Sequence, residues 1–156
     1  MREILFRGKK MDNWEWVEGY YLKHDSVKVC FSSDDPKTKH LIAFDDFCDW
    51  GFEPPIHAVE VQPETIGQYT GLNDKNGKRI FEGDIVEAVL PPTVAQPGFV
   101  WPKMRTVFVD GAFGLLDQRN ETIPFRSFSP RVTFEIKGNI HDNLELLKGD
   151  TNAEHP

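Results

Sequence analysis

The chain has 156 residues, and 25 Asp and Glu against 18 Lys and Arg leave a net charge of −7 at neutral pH. A chain of that length buries roughly 68–70% of its unfolded surface, enough for one domain or two small ones without disulfides or metals. The charge argues against binding nucleic acid mainly by neutralising phosphates, no apolar run approaches the ~18 residues of a membrane span, and the opening Met1-Arg2-Glu3-Ile4-Leu5-Phe6-Arg7 carries no export signal.

Helical periodicity is nearly absent, while 12 Gly and 11 Pro punctuate the chain as in short-stranded β proteins. The fold class expected is mainly β: a small N-terminal β-sheet subdomain over residues 1–65, a hairpin with a five-stranded SH3-like barrel and a short C-terminal helix over 66–148, and a disordered tail from 149 to 156. In the first part, strands are expected at Glu3 to Phe6 (ended by Gly8), Trp14 to Leu22, Val27 to Phe31, His40 to Phe44 and His57 to Val61. Ile66 to Leu72 and Lys78 to Phe81 form a hairpin around Asp74-Lys75-Asn76-Gly77. The Asn-Gly pair predicts a type I′ turn, in which both central residues take positive φ. Glu82-Gly83-Asp84 then turns into a buried strand, Ile85 to Leu90, with Asp84 bonding local amides.

Pro91, Pro92, Pro97 and Pro102 bar the next stretch from the middle of a sheet and predict a long loop or arm. Four further strands are expected at Arg105 to Val109, Phe113 to Leu116, Ile123 to Phe128 and Val132 to Ile140, with a turn at Asp110-Gly111. Closing the five strands of this part into a barrel would leave few edges exposed. A helix capped by Asp142, with Glu145 three residues on, ends the ordered chain.

No catalytic set is visible. Asp74 to Ile85 begins like a calcium loop, but the fifth, sixth and twelfth places hold Lys78, Arg79 and Ile85 where an oxygen ligand, Gly and Glu are needed. Cys30 and Cys48 fit no metal or redox spacing and read as buried thiols. His40, Asp45, Asp46, Asp49 and His57 could gather around a divalent ion, which keeps a metal-assisted hydrolase using His40, Asp45, Asp46 and His57 as a weaker alternative, although a solvated acidic turn between strands is the preferred reading of the run. No cofactor is expected, and His24, His40, His57, His141 and His155 remain as possible general bases whose partners the sequence alone does not identify. Most aromatic residues read as core. Phe99 and Trp101 are the exception: they lie in the proline-rich arm and are candidate protein contacts. Arg119, Arg126 and Arg131, beside Phe125 and Phe128, are the candidate nucleic-acid contacts of an alternative reading.

Phe6-Arg7-Gly8-Lys9, the run from Val61-Gln62-Pro63-Glu64-Thr65-Ile66-Gly67-Gln68-Tyr69-Thr70-Gly71-Leu72 through Asp74-Lys75-Asn76-Gly77-Lys78 to Ile80-Phe81-Glu82-Gly83-Asp84-Ile85-Val86, and Ile136-Lys137-Gly138-Asn139-Ile140-His141-Asp142-Asn143 closely resemble the YopX family of bacteriophage and prophage proteins. The resemblance implies a mainly β fold and a phage or prophage gene product acting in the bacterial cytoplasm. It brings no reaction and no catalytic residues. Physically, the shared motif reads as frame: Asn76, Gly77, Gly83 and Asp84 serve turns. The function expected is therefore non-enzymatic protein binding, to a second copy or to a host factor, with nucleic-acid binding by the small barrel as the alternative and no membrane partner.

Overall fold

The computed structural model describes residues 3–25, 37–45, 56–93 and 96–148. The strand expected at Val27 to Phe31, both cysteines, Asp46, Asp49, His155 and the tail from 149 onward lie outside the described residues. The chain is mainly β and divides into two compact units, Met1–Gln68 and Tyr69–Pro156.

The first unit holds β1 (Phe6–Lys9), β2 (Trp16–Asp25), β3 (Thr38–Asp45) and β4 (Ile56–Glu60), antiparallel in the order β4-β3-β2-β1. The first two residues of β5 (Gly67–Asn73) pair with the other edge of β1. Alternation places Phe6, Val17, Ile42, Phe44, Val59 and Val61 in one core. Gly8 does not end β1 but lies inside it, because a Cβ there would meet two Val61 carbons at 3.1 Å and one of Ile42 at 3.3 Å. Its signal in the sequence is close packing, not termination. The opposite face carries cations laid on indole: the Arg7 guanidinium is 4.6 Å and Lys9 Nζ 5.3 Å from the centre of a Trp16 ring. Trp14, expected in β2, instead sits in the preceding turn with φ 60°.

The second unit contains the rest of β5, then β6 (Arg79–Phe81), β7 (Asp84–Leu90), β8 (Phe99–Val100), β9 (Met104–Val109), β10 (Ala112–Leu116), β11 (Thr122–Pro124) and β12 (Thr133–Asn139). The antiparallel order is β11-β10-β9-β7-β12, with β8 also paired to β7. Ile80, Val86, Ala88, Met104 and Leu115 form its fully buried centre. The strand expected to run to Phe128 stops at Pro124, where one 3-10 turn, Phe125–Ser127, bends the chain so that Phe125 and Phe128 both reach Phe134. The expected C-terminal helix is likewise one 3-10 turn, Leu144–Leu147, without a side-chain cap. Asp142 is engaged elsewhere, its Oδ2 accepting Asn139 Nδ2 at 2.9 Å.

The hairpin at Asp74 departs from the expected type I′ turn. Gly77 takes positive φ (82°) and Asn76 does not. The Gly77 amide bonds the Asp74 carbonyl at 3.0 Å and the Asp74 amide bonds the Lys78 carbonyl at 2.8 Å, which describes a three-residue loop with Gly77 as the bulge residue. Asp74 decides between the two forms: its Oδ1 accepts the Asn76 and Lys78 amides at 2.8 and 2.9 Å, holding Asn76 out of the left-handed region. The same construction recurs at Asp117, whose Oδ1 accepts the amides of Arg119 and Glu121, both at 2.8 Å, with Asn120 (φ 62°) in the place of Gly77. The type I′ turn lies instead at Asp110 (φ 51°) and Gly111 (φ 75°), between the paired Val109 and Ala112.

Asp74 also fastens the hairpin to β12, through a long 3.5 Å bond from the Ile136 amide to Oδ2, beside the Lys75 amide on the Phe134 carbonyl at 2.8 Å. Nearby, Glu135 and Glu87 are cross-strand partners of like charge, and Lys137 bridges them at 2.8 and 3.3 Å. Hydrogen bonds from Lys137, then from Lys75, hold the Glu135 carboxyl below the usual carboxylate range.

Burial works to raise the pKa of Asp74, but the amides of Lys78, Asn76 and Ile136 outweigh it and hold the carboxyl below its ordinary value. A depressed folded-state pKa contributes stability that is complete above the unfolded value of about 3.9 and disappears as pH falls through the folded one. We expect Asp74→Ala to destabilise the protein by about 1–3 kcal/mol at neutral pH. In urea unfolding the gap from wild type should narrow as pH is lowered through 4 towards 2, and a gap unchanged by acid would refute this role of the carboxylate.

Candidate functional site

The proline-rich arm is the loop of a hairpin. The strand leaving that loop pairs Phe99 with Leu90 and Val100 with Val89, and the Trp101 amide bonds the Ala88 carbonyl at 2.9 Å. The next pair is Met104 with Val86, so one extra residue is accommodated between Trp101 and Met104. Pro102, which has no amide to donate, stands in that bulge. β8 and β9 are thus two halves of one bulged strand beside β7. The loop is pinned at its start by Arg131, whose Nη2 donates to the Pro91 carbonyl at 3.2 Å, and closed within by the Thr93 amide on the Gln96 carbonyl at 2.8 Å.

Phe99 and Trp101 lie two residues apart in extended chain, on the side of β7 that carries Ala88, and open a line of rings. Phe99 meets Trp101 edge-on at 4.8 Å, Trp101 meets Phe128 at 5.5 Å, Phe128 meets Phe134 at 5.4 Å, and Phe134 meets Phe125 at 5.1 Å. Every interplanar angle lies between 79° and 89°, the edge-to-face arrangement that the quadrupoles of aromatic rings favour. All but Phe99 pack on the buried centre of the unit. The line therefore runs from core to surface, where Phe99 is 51% and Val100 52% exposed. Among the described residues β8 pairs only with β7, so its other side is an open edge bearing two exposed apolar side chains.

The two sequence candidates are thus unlike: Trp101 is a half-buried anchor and Phe99 the exposed tip. Phe128, Phe134 and Phe125, which complete the line, were readable as aromatic core but not as parts of this surface, because the contact that joins them to the arm links residues 27 apart in the chain.

The three candidate nucleic-acid arginines lie in three separate turns. Arg131 holds the Pro91 carbonyl, Arg119 lies in the Asp117 turn, and Arg126 is exposed on the turn after β11. The turn residues form frame contacts: Asp84, 1% exposed, accepts the Phe81 amide at 2.8 Å, and Gly83 (φ 84°) bonds the Thr106 carbonyl through its amide and the Ile140 amide through its carbonyl, both at 2.9 Å. Of the possible metal ligands, His40 and Asp45 lie five residues apart on β3 and so face opposite sides of the sheet. His40 Nδ1 is 2.8 Å from the Tyr21 hydroxyl, and His57 lies beside Phe44. Among the described residues no three His, Cys, Asp or Glu side chains are placed to share an ion, and no helix is long and apolar enough to cross a membrane.

The ring line separates stability from surface. Trp101→Ala should cost about 2 kcal/mol or more by opening a void between Phe99 and Phe128, whereas Phe99→Ala should cost less than about 1 kcal/mol. Equal losses in urea unfolding would contradict the division into anchor and tip.

No curated protein matches the sequence. The match to the YopX protein family runs over residues 5–148, from just before β1 through the last 3-10 turn. It takes in the hairpin at Asp74, the turn at Gly83 and the Asn139 loop as well as the proline-rich arm, and the chain belongs to the YopX family.

Proposed function

We propose that this chain is a non-enzymatic phage or prophage protein of the bacterial cytoplasm that works by binding protein, through a partner strand added to β8. The observation that carries the reading is the open edge of β8 with Phe99 and Val100 half exposed beside the Trp101 anchor. An unpaired strand edge offers main-chain bonds to an incoming extended segment, and exposed side chains on alternate faces supply selectivity. The partner is a second copy of the chain or a host factor. Pairing of the first strand of the set, β7, with the last, β12, and the 3-10 turn between β11 and β12, support the view of the second unit as a small SH3-like barrel carrying the contact on the strand that leaves the proline-rich loop.

The nucleic-acid alternative draws less support. Phe125 and Phe128 are engaged with Phe134 and packed on the core, and Arg131 is committed to the loop. Base stacking needs open ring faces beside free cations.

Replacing Val100 with a photo-crosslinking residue tests the reading directly. Irradiation should give either a covalent dimer of the purified protein or one discrete adduct in host lysate, and Phe99→Lys should abolish it without altering the unfolding midpoint. Absence of any adduct from both preparations, or an adduct indifferent to Phe99→Lys, would refute the proposal.

A further inference from the structure

The stretch that carries the open edge of β8 has no charge. Residues 88–102 hold no Asp, Glu, Lys or Arg, the longest such run in a chain whose net charge is −7 and whose residues are 28% charged. Charge complementarity steers and selects unlike partners, and this edge offers none to read. A neutral edge suits a second copy of the chain, because two proteins of the same net sign meet there without setting like charges against each other.

The ladder fixes how two copies can meet. Phe99 pairs with Leu90 and the Trp101 amide bonds the Ala88 carbonyl at 2.9 Å, so the alternation of an antiparallel ladder turns both the amide and the carbonyl of Val100 to the free side. Residues directly opposite in an antiparallel pair share a face, so a two-fold axis normal to the sheet must pass beside a residue that pairs with itself. Of the two residues of β8, only Val100 presents its main chain to that side, which places the axis there. The register follows: Val100 lies opposite Val100, and Phe99 opposite Trp101 of the other copy. The first pair exchanges two main-chain hydrogen bonds. The second sets Phe99, 51% exposed, against an indole on the face that carries the line of rings.

We propose that the strand added to β8, given that β8 is the docking edge, is β8 of a second copy, paired antiparallel about a two-fold axis at Val100. The contact joins β12-β7-β8 of one copy to β8-β7-β12 of the other in a continuous sheet and links their two lines of rings on one face. Because it is isologous it closes both open edges at once and stops at the dimer.

Val100→Pro is the decisive variant. Proline is tolerated on an edge strand where the missing amide would face solvent, so this change should keep the unfolding midpoint of the dilute protein while removing the bonds donated across the axis. Sedimentation equilibrium should show wild type passing from monomer to dimer with concentration, the dimer favoured by moderate salt as the like net charges are screened. Val100→Pro and Phe99→Lys should each raise the dissociation constant at least about tenfold. Should the proline lower the midpoint, Phe99→Lys, on an exposed side chain, carries the test. In an equal mixture of isotope-labelled and unlabelled chains, NOEs between copies should join Phe99 to Trp101. A protein that stays monomeric at near-millimolar concentration, or a dimer that survives both variants, would overturn the assignment. A crosslink from Val100 in host lysate, with the purified protein monomeric, would overturn it too but leave β8 a docking edge, whereas no crosslink in either preparation would remove both.

Discussion

One extra residue in a strand organises the second unit. Beside β7 the chain runs from Phe99 to Arg105 as a single strand, interrupted at Trp101-Pro102-Lys103, that continues to Val109 against β10. Side chains alternate along a strand, so a one-residue insertion reverses which positions face the core. Before the bulge Phe99 and Trp101 point to the core side, and after it Met104 and Thr106 do, with Lys103 and Arg105 turned out. Without the insertion, Lys103 and Arg105 would face the buried centre, where charge is costly. Pro102 occupies the bulge, where its missing amide breaks no ladder bond.

The ring line follows from that geometry. Trp101 is fixed by its amide on Ala88 and by edge contact with Phe128, which itself depends on the turn at Phe125–Ser127 and on Phe134 of β12. Phe99 is held in place by Trp101 although it is half exposed. An apolar side chain presented on an ordered edge loses less entropy on binding than one on a loose loop, so the same contacts that stabilise the unit prepare its surface for a partner.

Much of the frame was legible in the sequence because its signals are local. Alternation located most strands, and Gly and Asp marked the turns around residues 74–84. What local signals could not give was the competition between them. Asn76-Gly77 favours a type I′ turn by itself, yet the carboxylate two residues before Asn76 captures its amide and that of Lys78, and the turn changes type. The repeat of that turn at Asp117 was open to the same reasoning, since Asp117 and Asn120 have the spacing of Asp74 and Gly77. Gly8 was read as a strand end, but its purpose is contact with Val61, 53 residues away. The four prolines correctly excluded a central strand, yet they hid a two-residue one, because pairing at Phe99 and Val100 ends just before Pro102 interrupts the ladder. Phe99 and Trp101 stood out by their context in the proline-rich stretch.

β8 is ordered along one side and, among the described residues, open along the other. The Trp101 amide is bonded to Ala88, and alternation of paired and outward amides in an antiparallel ladder turns the Val100 amide towards the free edge. Hydrogen exchange of the two amides in dilute protein measures this directly. We expect Trp101 to exchange slowly and Val100 close to the rate of an unstructured chain, with Val100 slowing only once a partner strand is added. Rapid exchange at Trp101, or protection of Val100 in the isolated chain, would contradict it.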